Sequence, residues 1–183
     1  MLKSRTLTHS ENTSGAIVSQ QESVFSPDTT DSVIWDAFCA GNESAFIHIY
    51  QQYFDLLYAY GWRICKDEAL VKDAIQDLFV DLRQRRERLG KTDSIKFYLF
   101  KSIRRRITVQ SEKQKKQLDE NYDLVYTFSP EDQLIAQQLD EEKRSKLEKG
   151  LAQLSPRKKE VIYYFFFEGM SYQQIQEIMQ LDH

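Results

Sequence analysis

The sequence is poor in the residues that most often carry chemistry. Its two cysteines, Cys39 and Cys65, form no CxxC pair, so neither a disulfide framework nor a zinc site is expected. Three histidines, His9, His48 and His183, are dispersed, and His48 falls on an amphipathic stretch that suits a structural role. No P-loop, dinucleotide-binding glycine fingerprint, nucleophile elbow or HExxH pattern is present. The acidic residues are better explained as exposed helix faces than as a paired-carboxylate centre. The reading is therefore a protein that is not an enzyme and needs no cofactor or metal. No apolar run approaches the roughly 20 residues of a membrane span, and residues 1–30 lack the apolar core of a signal peptide. No membrane insertion and a cytoplasmic location are expected. Glycine and proline are also scarce, at 6 and 3 of 183 residues. With long helix-compatible runs, that scarcity points to an all-α fold.

What is present is charge, and it is unevenly spread. The net charge of −3 taken alone argues against nucleic-acid binding. From Asp81 to Lys116, however, there are 13 Lys/Arg against 4 Asp/Glu, whereas Gln117 to Leu154 holds 4 against 9. Such segregation marks a basic surface on a chain that is acidic overall.

Periodicity organises the rest. Residues 1–30, with 11 Ser/Thr and no periodic pattern, read as a disordered leader. Ile34, Trp35 and Phe38 form a first helix closed near Gly41, and Phe46, Ile49, Tyr50, Tyr53, Phe54 and Leu57 mark a second, with Gly61 near its end. Asp67 can cap a third helix whose Val71, Ala74, Ile75, Leu78 and Leu82 face the core. Its opposite face carries Asp73, Gln76, Asp77 and Val80, a stripe that suits either solvent or a docked protein. After the turn Leu89-Gly90-Lys91-Thr92, Asp93 can cap a fourth helix with Leu99, Phe100, Ile103 and Ile107 turned inward. Phe97, Lys101, Arg104, Arg105 and Thr108 form a separate stripe. Basic side chains on such a stripe neutralise phosphates, and an exposed aromatic gives unpaired bases a stacking surface. A solvated basic face with Phe97 tucked against its neighbours is the competing reading.

Beyond Thr108 the pattern becomes polar and reads as a linker over 111–128. Ser129-Pro130 opens a fifth helix that runs to about Leu154, and Ser155-Pro156 opens a short sixth one closed by Gly169. Ser171 to Gln174 is a capping box for a last helix with Ile175, Ile178 and Met179 on one face. The pair after Ser155 has the form of the first two-thirds of a helix-turn-helix unit.

The runs AFIHIYQQYFDLLYAYGWRI, DEALVKDAIQDLFVDL, SIKFYLFKSIRRRI and LAQLSPRKKEVIYYFFFEGMSYQQIQEIMQL, in this order and spacing, resemble the extracytoplasmic-function (ECF) group of bacterial sigma-70 factors. The resemblance covers about residues 31–110 and 130–181. It implies an all-α protein of two small helical domains joined by a flexible linker. A four-helix sigma region 2 over 31–110 would bind core RNA polymerase and melt the −10 promoter element. Region 4 would occupy 129–183. Carried over by position, Asp73, Gln76, Asp77 and Val80 would face the polymerase. Leu89, Lys91, Thr92 and Ser94 would belong to the loop that captures an unstacked −10 base. Phe97, Lys101, Arg104, Arg105 and Thr108 would lie along the non-template strand. An anti-sigma factor is a further partner the family implies.

Two departures stand out. Arg83 occupies a position where many family members have Trp, and the −35 recognition helix would begin at about Asp182, so impaired −35 readout is expected. Lacking a third helix to bury it, the aromatic block Tyr163, Tyr164, Phe165, Phe166 and Phe167 leaves apolar area worth several kcal/mol at about 25 cal/mol per Å2. A weakened C-terminal domain, either partly disordered or covered by another chain, is therefore expected. Two functions therefore compete: a sigma factor, and a sigma-like interaction module that occupies polymerase or an anti-sigma factor without initiating transcription.

Overall fold

The computed structural model describes residues 25–26, 28–118, 146 and 149–180. The leader up to residue 24, residues 119–128 and most of the expected fifth helix lie outside the described residues. Among those described, every regular element is helical: α1 (Asp31–Cys39), α2 (Glu43–Ile64), α3 (Glu68–Arg85), a 3-10 turn (Arg86–Arg88), α4 (Ile95–Leu118), α5 (Pro156–Ile162), a π turn (Tyr163–Phe167) and α6 (Tyr172–Met179).

Local chemistry sets the boundaries. Gly41, at φ 95°, takes the left-handed conformation that ends α1. The Asn42 side chain then accepts from Ala45 N at 3.1 Å to open α2. Asp67 caps α3 as its sequence position predicts, accepting from Leu70 N at 3.0 Å. The cap expected from Asp93 is instead divided between two other residues. Ser94 Oγ accepts from Phe97 N at 3.2 Å, and Asp31 Oδ2, reaching across from α1, accepts from Ile95 N at 2.8 Å. The segment expected to become a linker at 111 continues as helix through Leu118. Capping of α6 follows the predicted box, with Ser171 and Gln174 bonded reciprocally.

Helices α1 to α4 share one core built from the predicted stripes. Ile49, Leu57, Val71, Ala74, Leu99, Phe100, Ile103 and Ile107 are all fully buried. Gly61 sits near the end of α2, three residues before Ile64, and a Cβ there would meet Val71 Cγ1 at 2.7 Å. The residue is glycine because α3 crosses too close for any side chain. Helices α5 and α6 pack against this unit: Tyr163, Tyr164, Met170, Ile175, Ile178 and Met179 join the same core cluster. The aromatic block is thus half covered by this chain's own helices. Tyr164 packs tilted against Tyr60 and edge-on against Phe100, while Phe166 remains 74% exposed.

Candidate nucleic-acid interface

The loop between α3 and α4 is held from both sides. Trp35, buried in α1, donates its indole N–H to the Gly90 carbonyl at 2.9 Å. Thr92 Oγ1 donates to the Ser94 carbonyl at 3.1 Å and accepts from Ser94 N at 3.3 Å. Lys91, between these anchors, is exposed. From this loop an open groove runs along α4, lined by Lys91, Thr92, Phe97, Lys101, Arg104, Arg105 and Thr108. Seven of the nine residues expected to meet nucleic acid therefore share one surface. The other two point elsewhere: Leu89 packs against the core and Ser94 caps α4. Phe97 is half-buried, and the Lys101 ammonium lies 5.6 Å from its ring centroid. Thr108 Oγ1 has no hydrogen-bond partner among the described residues.

The opposite wall of that groove is α6, through Glu177, Ile178 and Gln180. Arg104 is the most committed of the basic residues. Its Nε donates to Glu160 Oε1 at 2.8 Å and its Nη2 to Glu160 Oε2 at 3.3 Å, a two-pronged pair across helices. Burial works against the charge of this guanidinium, but the Glu160 carboxylate outweighs it and raises the Arg104 pKa above its ordinary value. Tyr60 of α2 donates to the same Glu160 oxygen at 2.7 Å, and Tyr164 bonds to both. Both phenols are fully buried, and burial followed by the adjacent carboxylate pushes their pKa values well up. Lys101 reaches Glu177 at 2.8 Å, and Lys96 reaches Glu168 at 2.6 Å.

A second face lies on α3. Asp73, Gln76, Asp77 and Val80 are all exposed, as their stripe requires, but they do not act as one patch. Gln76 and Val80 line an apolar groove together with Phe46, Tyr50, Phe54 and Phe79. Asp77 turns toward α4, accepting from Gln110 Nε2 at 3.4 Å, and Asp73 is outside the groove. Arg83 closes one end of the groove. Its guanidinium lies 5.5 Å from the Phe46 ring centroid and pairs with Glu43 at 2.8 Å. At this position a cation over a ring takes the place of apolar packing. Sequence reading placed Tyr50 and Phe54 on the apolar repeat of α2 and did not single them out as groove walls. Tyr50 is 40% exposed.

The comparisons with known proteins follow this geometry. The sigma-70 region 2 family matches residues 49–117, which span most of α2, all of α3 and nearly all of α4. The sigma-70 region 4 family matches residues 144–182, which include α5 and α6. A search of curated proteins found no matching relative. Regions of this kind act without catalysis in transcription initiation, on core RNA polymerase and promoter DNA. Among the described residues no helix is long and apolar enough to cross a membrane. With both regions matched in order over more than half of its length, the chain belongs to the sigma-70 family, as a protein of the extracytoplasmic-function type.

Proposed function

We propose that this chain directs RNA polymerase to promoters by docking the enzyme on the α2–α3 groove and holding the −10 non-template strand along the 89–94 loop and α4. One observation carries the reading. A single four-helix unit presents an aromatic groove flanked by Gln76 and Val80, and beside it a pinned loop leading into the basic stripe of α4. The groove offers apolar area to a protein partner. Lys91 of the loop and Arg104 and Arg105 of α4 offer phosphate contacts, and the half-buried Phe97 ring of α4 offers a stacking surface. Trapping a base outside its stack costs a few kcal/mol, so a held loop and phosphate contacts are needed together. Melting is driven by binding energy, with no nucleotide hydrolysis. Such work belongs in the cytoplasm.

The test is binding of a single-stranded −10 oligonucleotide to the full chain with core polymerase present. Arg105→Ala removes one exposed cation, so the slope of log affinity against log salt should fall by about 0.7. An unchanged slope rejects the assignment of α4. The second reading, an interaction module that occupies polymerase or an anti-sigma factor, draws on the closure of the groove over Arg104, whose side chain is only 17% exposed. That module would bind polymerase but not the oligonucleotide.

A further inference from the structure

Helix α1 lines neither groove, yet it meets the segment that joins α3 to α4 at both ends. Asp31 Oδ2 accepts from Ile95 N at 2.8 Å, and Trp35 Nε1 donates to the Gly90 carbonyl at 2.9 Å. Just past the end of α1, a Cβ on Gly41 would meet Arg86 Nη2 at 3.6 Å. Asp31, Trp35 and Gly41 thus face Ile95, Gly90 and Arg86 in reverse order, so the two segments run antiparallel and in register. We propose that α1 is a splint for the 89–94 loop, and that Asp31 and Trp35 are positioning residues that set capture of an unstacked base through the loop. The inference rests on the reading of that loop as the base-capturing element.

Three features support it. First, Asp31 and Trp35 stand one turn apart on a single helix, so both bonds issue from one rigid face. They fix the loop where it begins and where α4 starts, and the exposed Lys91 and Asp93 are displayed between fixed ends. Second, the bonds span sequence separations of 55 and 64, so the loop's own turn chemistry cannot supply them. They form only with α1 docked, and its Ile34, Trp35 and Phe38 are buried in the core. Third, the Trp35 ring also lies against Tyr98, with centroids 4.9 Å apart, and Tyr98 lines the α4 groove beside Phe97. One residue therefore supports both the loop and the wall next to it. Ordering a loop residue costs conformational entropy, and a loop ordered beforehand spares that cost when a base enters. Phosphate attraction to the exposed Arg105 depends little on how the loop is set. The splint thus governs selection of a base more than overall affinity.

The experiment measures binding of the full chain, with core polymerase present, to a labelled single-stranded −10 oligonucleotide and to copies in which one nucleotide at a time lacks its base. The ratio of the two affinities, intact over abasic, reports base capture at each position. Unfolded chain lowers both affinities by the same factor, so a merely structural loss of stability cancels in the ratio. In the unaltered chain one position should stand out, with a ratio of about tenfold or more. Asp31→Ala and Trp35→Phe should each cut that ratio by about threefold or more. Asp31→Asn, whose amide oxygen can still accept from Ile95 N, should restore it to within roughly twofold. Asp36→Ala removes an exposed carboxylate from the same helix and should leave the ratio unchanged. An undiminished ratio in either Asp31→Ala or Trp35→Phe overturns the splint. So does an equal drop in Asp36→Ala, or failure of Asp31→Asn to rescue. If no position stands out in the unaltered chain, the loop reading itself fails and the splint falls with it.

Discussion

At the scale of single residues, Gly61 shows how a tight crossing fixes identity. Its missing Cβ leaves room for Val71 and Ile107, whose atoms would lie 2.7 and 3.2 Å from an added carbon. Both neighbours sit in a closely packed core with little room to retreat. Gly61→Ala should therefore destabilise the chain by about 1–3 kcal/mol, read as a lower urea midpoint at constant slope. Gly90→Ala, with nothing within 4 Å of the added carbon, should leave the midpoint unchanged. Sequence alone placed Gly61 near the end of α2, where it lies, but nothing local announces a crossing helix. Caps show the same limit. Asp67 was legible because it bonds an amide three residues on, whereas Asp31, which bonds Ile95 N, was hidden by a sequence separation of 64.

At the scale of elements, the amphipathic faces of α3 and α4 were legible because helical periodicity separates core from surface without any tertiary information. What periodicity could not say is which neighbour completes each face. The aromatic repeat of α2 was read only as the mark of a helix. Its edge, Tyr50 and Phe54, meets Val80 and Gln76 at the surface. Replacing Tyr50 and Val80 together by Ala removes apolar area from the groove without opening the core, since both are at least 40% exposed. Affinity for core polymerase should fall about tenfold or more, with thermal stability nearly unchanged. Asp73→Ala, outside the groove, should bind almost normally. Equal losses from both would mean that the enzyme docks across the whole stripe. The α3–α4 loop makes a related case. Trp35→Phe keeps the ring buried but removes the donor to Gly90 O, at a cost of about 0.5–1.5 kcal/mol. The effect on −10 oligonucleotide binding should exceed that on stability, because the lost bond anchors the loop, not the core.

At the scale of the whole molecule, α4 is shared: one side belongs to the four-helix core and the other receives α5 and α6. This sharing was invisible in the sequence, where the polar stretch after Thr108 divides two helical units without saying that they touch. Neither a long helix through Leu118 nor carboxylates at Glu160 and Glu177 can be assigned partners by periodicity. The aromatic block Tyr163–Phe167, expected to leave apolar area without a third helix, is divided between burial on Tyr60 and Phe100 and exposure at Phe166. Sharing makes the stability of the two parts unequal in a testable direction. Helices α5 and α6 lean on a core that α1 to α4 complete mostly among themselves, so loss of docking should spare the larger part. Tyr164→Ala removes a fully buried ring and its bonds to Tyr60 and Glu160, a change of about 3–5 kcal/mol in a core site. Amide exchange should then show protection lost across residues 156–179 while α2 and α3 keep theirs within about tenfold. Collapse of protection everywhere would mean that the C-terminal helices are integral to the core. Unchanged protection would mean that the contact on α4 contributes little to holding them.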